Sequence, residues 1–167
     1  VLDVSGDLSV VKSKKNATSG PYHNYAFNFV YNAAGAVTSM ELGNYRYEST
    51  AFNSRLQPTQ IALGVTQGST GLLDLDYTYG TTNNNGNVLS QTITVPTVGS
   101  NPGFTAIQNY AYDNLNRLAS ADEKPQGWTD ANCTTEPTKC WKQTFVYDRY
   151  GNRTFDTTAS RTTTTPT

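Results

Sequence analysis

The chain has 167 residues and a mass of 18.2 kDa, the length of one domain or of one row of small repeats, and enough to bury a core. Twelve Lys+Arg against 13 Asp+Glu, with one histidine, give a net charge of −1, so the basic excess that nucleic-acid and membrane-surface binders need is missing. No apolar run approaches the roughly 20 residues of a membrane span, and 26 Thr, 16 Asn, 13 Gly and 11 Tyr read as an all-β chain of short strands and tight turns.

Residues 1–24 form an N-terminal strand segment, in which 2–11 read as one or two strands. The chain starts at Val1 with neither a methionine nor a signal peptide, which suits a processed mature form or a piece of a longer chain. His23, the single histidine, lies in the loop-like Gly20-Pro21-Tyr22-His23-Asn24-Tyr25. A general base needs a nucleophile and an orienting partner, and neither has a recognisable motif, so a loop or packing role is expected.

Residues 25–156 contain five segments with one frame: aromatics at i and i+2, a turn, then a returning strand. They lie near 29–39, 51–61, 77–95, 110–120 and 145–156, with aligned aromatics Tyr31, Phe52, Tyr79, Tyr112 and Tyr147. Aromatics two apart share a strand face, as Tyr110 and Tyr112 do. The Asp or Asn that follows can accept backbone N–H groups two residues on and start a turn. Gly35, Gly86, Asn116 and Gly151 supply the position that tolerates positive φ. The strand over 87–95 alternates as a returning strand should. Each unit is thus a β-hairpin, marginal alone, and neighbours must stack to cover the aromatic face. Residues 61–65 and 72–77 read as further strands. Asp74 and Asp76 share a strand face in the latter; the pair could bind calcium or act as paired carboxylates, but a solvated face is the expectation. No amphipathic helix is predicted, and 105–109 and 128–132 reach one helical turn at most.

Cys133 and Cys140 stand seven apart in a loop-like stretch with Pro125, Gly127 and Pro137, and are expected to form a disulfide, as in an exported protein. With one distant histidine they do not make a zinc tetrad. Trp128 and Trp141 flank this loop and are the candidate exposed, ligand-contacting aromatics. Residues 157–167 are a Thr-rich tail resembling an O-glycosylated stalk, with Thr162, Thr163, Thr164 and Thr165 as candidate sites and a bare tail as the alternative. The sequons at Asn16, Asn132 and Asn152 are no more than an Asn- and Thr-rich chain gives by chance.

Tyr112-Asp113-x-x-Asn116-Arg117-Leu118 and Tyr147-Asp148-x-x-Gly151-Asn152-Arg153 resemble the YD repeats of the rearrangement-hotspot (RHS) family. The segment 52–61 resembles a variant unit of that family. The resemblance spans about residues 25–156, and units one and three depart from it, with Asn32 or Gly80 where Asp is expected. It implies a spiral of stacked antiparallel β-hairpins, of the kind that forms hollow shells around a toxin domain in bacteria and recurs in cell-surface adhesion proteins. The family's C-terminal self-cleavage segment and a toxin domain have no match here.

The expected function is a non-enzymatic, extracellular or cell-surface structural module with no catalytic residue, metal or cofactor. A short solenoid exposes strand edges that call for caps, a longer array or further copies. Head-to-tail copies, joined by strand addition of residues 1–11, would build a surface fibre. The alternatives are a fragment of a longer RHS shell and a carbohydrate- or receptor-binding adhesion module centred on Trp128–Trp141. Neither nucleic acid nor membrane insertion is expected.

Overall fold

A computed structural model describes residues 1–14 and 20–161. It is all-β, as the composition predicts, with strands β1 (Val10–Lys14), β2 (Tyr22–Tyr31), β3 (Val37–Leu42), β4 (Tyr47–Phe52), β5 (Pro58–Gly64), β6 (Leu73–Thr78), β7 (Ser90–Val95), β8 (Phe104–Tyr112), β9 (Leu118–Pro125), β10 (Trp141–Tyr147) and β11 (Arg153–Phe155). Helix α1 (Asp130–Thr135) and a 3-10 turn (Pro137–Lys139) lie between β9 and β10. Strand order in the sheet follows chain order from β1 to β11. Short connections permit only antiparallel neighbours, so a chain punctuated this often must meander. Among the described residues no helix is long and apolar enough to cross a membrane.

Two compact units divide the chain: Val1–Leu75 with Val95–Asn101, and Asp76–Thr94 with Pro102–Thr167. In the first, β1 pairs with β2 from Val10↔Phe27 to Lys14↔Tyr22, and β2 with β3 from Ala26↔Leu42 to Tyr31↔Val37. The latter ladder is interrupted between Phe27 and Val30, where Asn28 takes φ 52° and its amide donates to the buried Glu41 carboxylate at 2.9 Å. In the second unit, β8 pairs with β9 from Ala106↔Pro125 to Tyr112↔Leu118, and β9 with β10 from Glu123↔Trp141 to Ser120↔Thr144.

Among the described residues the buried apolar ones are Ala62, Ala106, Ala121, Cys133, Cys140 and Phe145, and no leucine, isoleucine or valine reaches full burial, so the core is thinner than the chain length permits. Ala121 stands opposite Tyr110 in register. A small residue directly opposite a large ring leaves room for the ring on the shared sheet face. Close approach matters at Gly43 too: a Cβ there would lie 2.2 Å from the Asn24 carbonyl oxygen. Gly43→Ala is expected to lower stability by roughly 1–3 kcal/mol, read as a lower urea midpoint; an unchanged midpoint would show that β2 yields there.

Five sequence expectations are corrected. Residues 105–109 are not a helical turn but part of β8, because the segment pairs along its length with β9. Residues 2–11 form a tight turn closed by a Leu2↔Leu8 bridge, with a strand only from Val10, and the strand expected from Asn87 begins at Ser90. The cysteine stretch is not a plain loop, for Cys133 sits on α1, whose N-terminus is closed by a capping box between Thr129 and Asn132. The order continues into the Thr-rich segment: Asp156 Oδ1 accepts the N–H groups of Thr158 and Ala159, and Arg161 exchanges backbone hydrogen bonds with Lys142. Thr162, Thr163, Thr164 and Thr165, and the sequon at Asn16, lie outside the described residues.

Candidate functional site: a repeated turn and its tyrosine staple

Among the described residues five turns share one geometry. Asp3, Asn32, Asn53, Asp113 and Asp148 each accept, through Oδ1, the N–H groups two and four residues on, at 2.8–3.1 Å. Each also donates its own N–H to the carbonyl four residues on and accepts the N–H three residues on. The third position is left-handed in every case: Gly6, Gly35, Leu56, Asn116 and Gly151. Glycine and asparagine reach that region at least cost, which is why the motif favours them there. Four of these turns lie where the aromatic frame puts them. The fifth, at Asp3, was not anticipated, because Leu2 stands where the frame expects an aromatic; the Asp3-x-x-Gly6 spacing was the signal. The turn Leu42–Arg46 has the same backbone bonds with leucine first, and so has no side-chain cap.

Unit three departs from this scheme. Tyr79 precedes Gly80 instead of an acid, and β6 regains its partner only where Leu89 N–H donates to the Thr78 carbonyl. The enlarged loop is held by side chains: Asn84 and Asn85 accept the N–H groups of Gly86 and Asn87, and Asn85 and Asn87 donate to Asn116 Oδ1 of the next turn.

The residue four after the acid closes the turn from outside. Arg117 Nε lies 2.7 Å from Asp113 Oδ2, Asn152 Nδ2 donates to Asp148 Oδ2 at 2.7 Å, and Asn53 Nδ2 donates to Gln57 Oε1 at 2.7 Å. Arg117 and Arg153 are therefore not equivalent: Asn152 holds the place of Arg117, and Arg153 lies over the Phe145 ring at 4.6 Å. The carboxyl of Asp113 is held below its ordinary 3.8, first by the Arg117 N–H; that of Asp148, first by the Asn152 amide; that of Asp156, first by the Thr158 hydroxyl. A folded-state value below the unfolded one stabilises above the unfolded value and is lost as pH falls through the folded one. Stability is thus expected to be level above about pH 5 and to fall below about pH 4. The Asp113→Asn, Asp148→Asn double variant keeps the Oδ1 acceptor of the turn N–H groups but sets a donor in place of the Oδ2 that Arg117 and Asn152 donate to, so it should lower the neutral-pH midpoint and flatten that fall; urea midpoints across the acid range check it.

The tyrosines join one turn to the next. Tyr31 Oη donates to the Leu8 carbonyl at 2.6 Å, Tyr112 to Val88 at 3.0 Å, and Tyr147 to Leu118 at 2.9 Å. Leu8 and Leu118 are each five residues past the acid of the preceding turn. The Arg117 guanidinium, bound to Asp113, lies 4.1 Å over the Tyr147 ring. At Asp113, Arg117 and Tyr147, acid, basic residue and next tyrosine therefore form one joint between consecutive hairpins. Phe52, opposite Pro58, carries no hydroxyl for such a bond. Burial raises the phenols of Tyr112, Tyr77 and Tyr110; those of Tyr112 and Tyr110 donate, while that of Tyr77 accepts the Gln91 amide. Across β6, β7, β8 and β9 a second network runs from Tyr77 through Gln91 and Tyr110 to Gln108 and Glu123.

The remaining candidates are dispersed. Cys133 and Cys140 form a buried disulfide with a Cα–Cα distance of 5.6 Å. Trp128 and Trp141 are half-buried instead of exposed, the first beneath the Lys139 ammonium at 5.4 Å and the second opposite Glu123. His23 is exposed on β2 opposite Ser13, and Asp74 accepts the Gln60 amide at 2.9 Å. No group of three His, Cys, Asp or Glu able to hold a metal occurs among the described residues.

The same arrangement of hairpins is found in solved toxin structures. A crystal structure of TcdB2-TccC3-Cdc42 matches 93% of this chain with a TM-score of 0.64 at 20% identity. What they share is the fold. The Photorhabdus luminescens Tc holotoxin pore, with a TccC3 mutation, matches 95% of this chain with a TM-score of 0.52 at 16% identity. A crystal structure of TcdB2-TccC3 without its hypervariable C-terminal region gives 95%, 0.52 and 15%. The chain spans only 8–9% of the length of these toxin chains. No family model matches the sequence, and no curated protein matches it.

Proposed function

We propose that this chain is a wall segment of a longer YD-repeat shell of the RHS type, exported from the cell and structural in role. The observation that carries this reading is the match of 93% of the chain to 8% of a TcdB2-TccC3 chain, a likeness to part of an array. The tyrosine joint adds support, since the bonds of Tyr31, Tyr112 and Tyr147 each reach back to an earlier stretch of the chain, a contact that can be repeated along a longer array. The disulfide fits an oxidising compartment. In this reading the segment performs no chemistry and takes no cofactor; its task is to enclose. Its partners are preceding and following repeats, where a fibre subunit would instead meet copies of itself head to tail. Electron microscopy and intact mass of the native polypeptide that carries this segment test the proposal. Closed, hollow particles from a chain several times longer than this one are expected. Regular fibres with one 18.2 kDa copy per rise would overturn it in favour of the fibre, and dispersed particles of that mass would overturn both.

A further inference from the structure

The enlarged loop of unit three carries the chain's one Asn-Gly pair: of the 16 asparagines only Asn85 precedes a glycine. Both residues are exposed to water. A side chain on the following residue hinders closure of an asparagine onto the next backbone nitrogen, and Gly86 has none. A Cβ built at Gly86 would meet nothing within 4 Å, so no neighbour packs against that position. The Asn85 amide is engaged on both sides. Its Oδ1 accepts the Asn87 N–H at 3.1 Å, and its Nδ2 donates to Asn116 Oδ1 at 2.8 Å. The first bond bears on reactivity, because a donor on Oδ1 stabilises the charge that gathers on this oxygen when a nucleophile adds to Cγ.

We infer that Asn85 is a site of spontaneous deamidation, and that its product uncouples this loop from the next turn, Asp113–Arg117. The Gly86 backbone nitrogen gives its proton to hydroxide and adds to Asn85 Cγ. The N–Cγ bond forms, the Cγ–Nδ2 bond breaks, and ammonia leaves. Water then opens the five-membered imide at either carbonyl, giving aspartate or isoaspartate. One amide and one water are consumed, and one carboxyl group and one ammonia are produced, with nothing oxidised or reduced. The Gly86 N–H is donated to Asn84 Oδ1 at 3.0 Å, which restrains the nucleophile and slows the step. The product carboxylate has no hydrogen to donate, so acceptor faces acceptor at Asn116 Oδ1. Isoaspartate also lengthens the main chain by a methylene, which displaces Asn87 from its own bond to Asn116 at 3.3 Å. The inference does not rest on the shell reading.

The test is incubation of the chain in warm, mildly alkaline buffer beside the free peptide of residues 82–87, with peptide mapping and enzymatic labelling of isoaspartate. Conversion at Asn85 ahead of every other asparagine is expected. Asn84→Ala should speed it about two- to tenfold by freeing the Gly86 N–H. Asn85→Asp, a fixed stand-in for the product, should raise amide exchange across residues 81–88 and shift the amides of 113–117. An Asn85 amide intact after the free peptide is fully converted, or another asparagine converting first, overturns the site. Amide exchange in Asn85→Asp equal to that of the parent overturns the uncoupling.

Discussion

Replacing Tyr112 by alanine is expected to lower the unfolding free energy by about 3 kcal/mol, and replacing it by phenylalanine by about 1 kcal/mol. The two numbers separate the two roles of the side chain. The ring packs among Tyr77, Val88, Gln91, Tyr110 and Leu118 around a shallow cavity of about 250 Å³. Its loss removes apolar contact and enlarges that space, and the half-buried position keeps the cost at the lower end of the range for a large aromatic. The hydroxyl alone reaches the Val88 carbonyl, and phenylalanine leaves that acceptor unpaired in a partly desolvated place. Equilibrium urea unfolding of the three proteins provides the check. A Tyr112→Phe variant as stable as the parent would remove the hydrogen bond from the joint and leave only packing.

The second large effect concerns α1. A six-residue helix cannot stand alone, since nucleation is unfavourable and few bonds follow it. Cys133 and Cys140, seven apart, tie it to the 3-10 turn that follows and are both buried. A closed loop of about eight residues stabilises by about 2.5 kcal/mol on the chain-entropy account. The Cys133→Ser, Cys140→Ser double variant should lose that amount, with the amides of residues 130–140 losing hydrogen-exchange protection while the β8–β9 amides keep theirs. Unchanged protection at Asp130–Thr135 would mean that the Lys124 contacts to Asp122 and Asp130, each 3.1 Å, hold the helix without the bridge.

The turns were legible because their bonds are local. An acid or asparagine that accepts N–H groups two and four residues on, with a left-handed residue between, is written within five positions, as at Asp113 and Asp148. The Asp3 turn obeys the same rule with Leu2 in place of the aromatic that marks the others. Motif spacing in sequence does not say which side chain returns to the acid: Arg117 does so at Asp113 and Asn152 at Asp148. The tryptophans misled because an aromatic beside a loop says nothing of what packs on it, and a lysine covers Trp128.

All-β class, hairpin units, the capped turns and the cysteine pair were thus determined by the chain's own local chemistry. Only the tertiary structure decided the tyrosine joints, the thin alanine core and the close approach of the Leu42–Arg46 turn to β2. The joints end on backbone carbonyls 23 to 29 residues away, and a carbonyl has no signature in sequence. Which alanine lies under which ring depends on strand register, which hydrophobic pattern alone leaves loose when most side chains are half-buried. Tyr45 stands at a left-handed position where local preference argues against tyrosine, and nothing in residues 42–46 by themselves announces the Gly43 N–H bond to the Tyr25 carbonyl of β2.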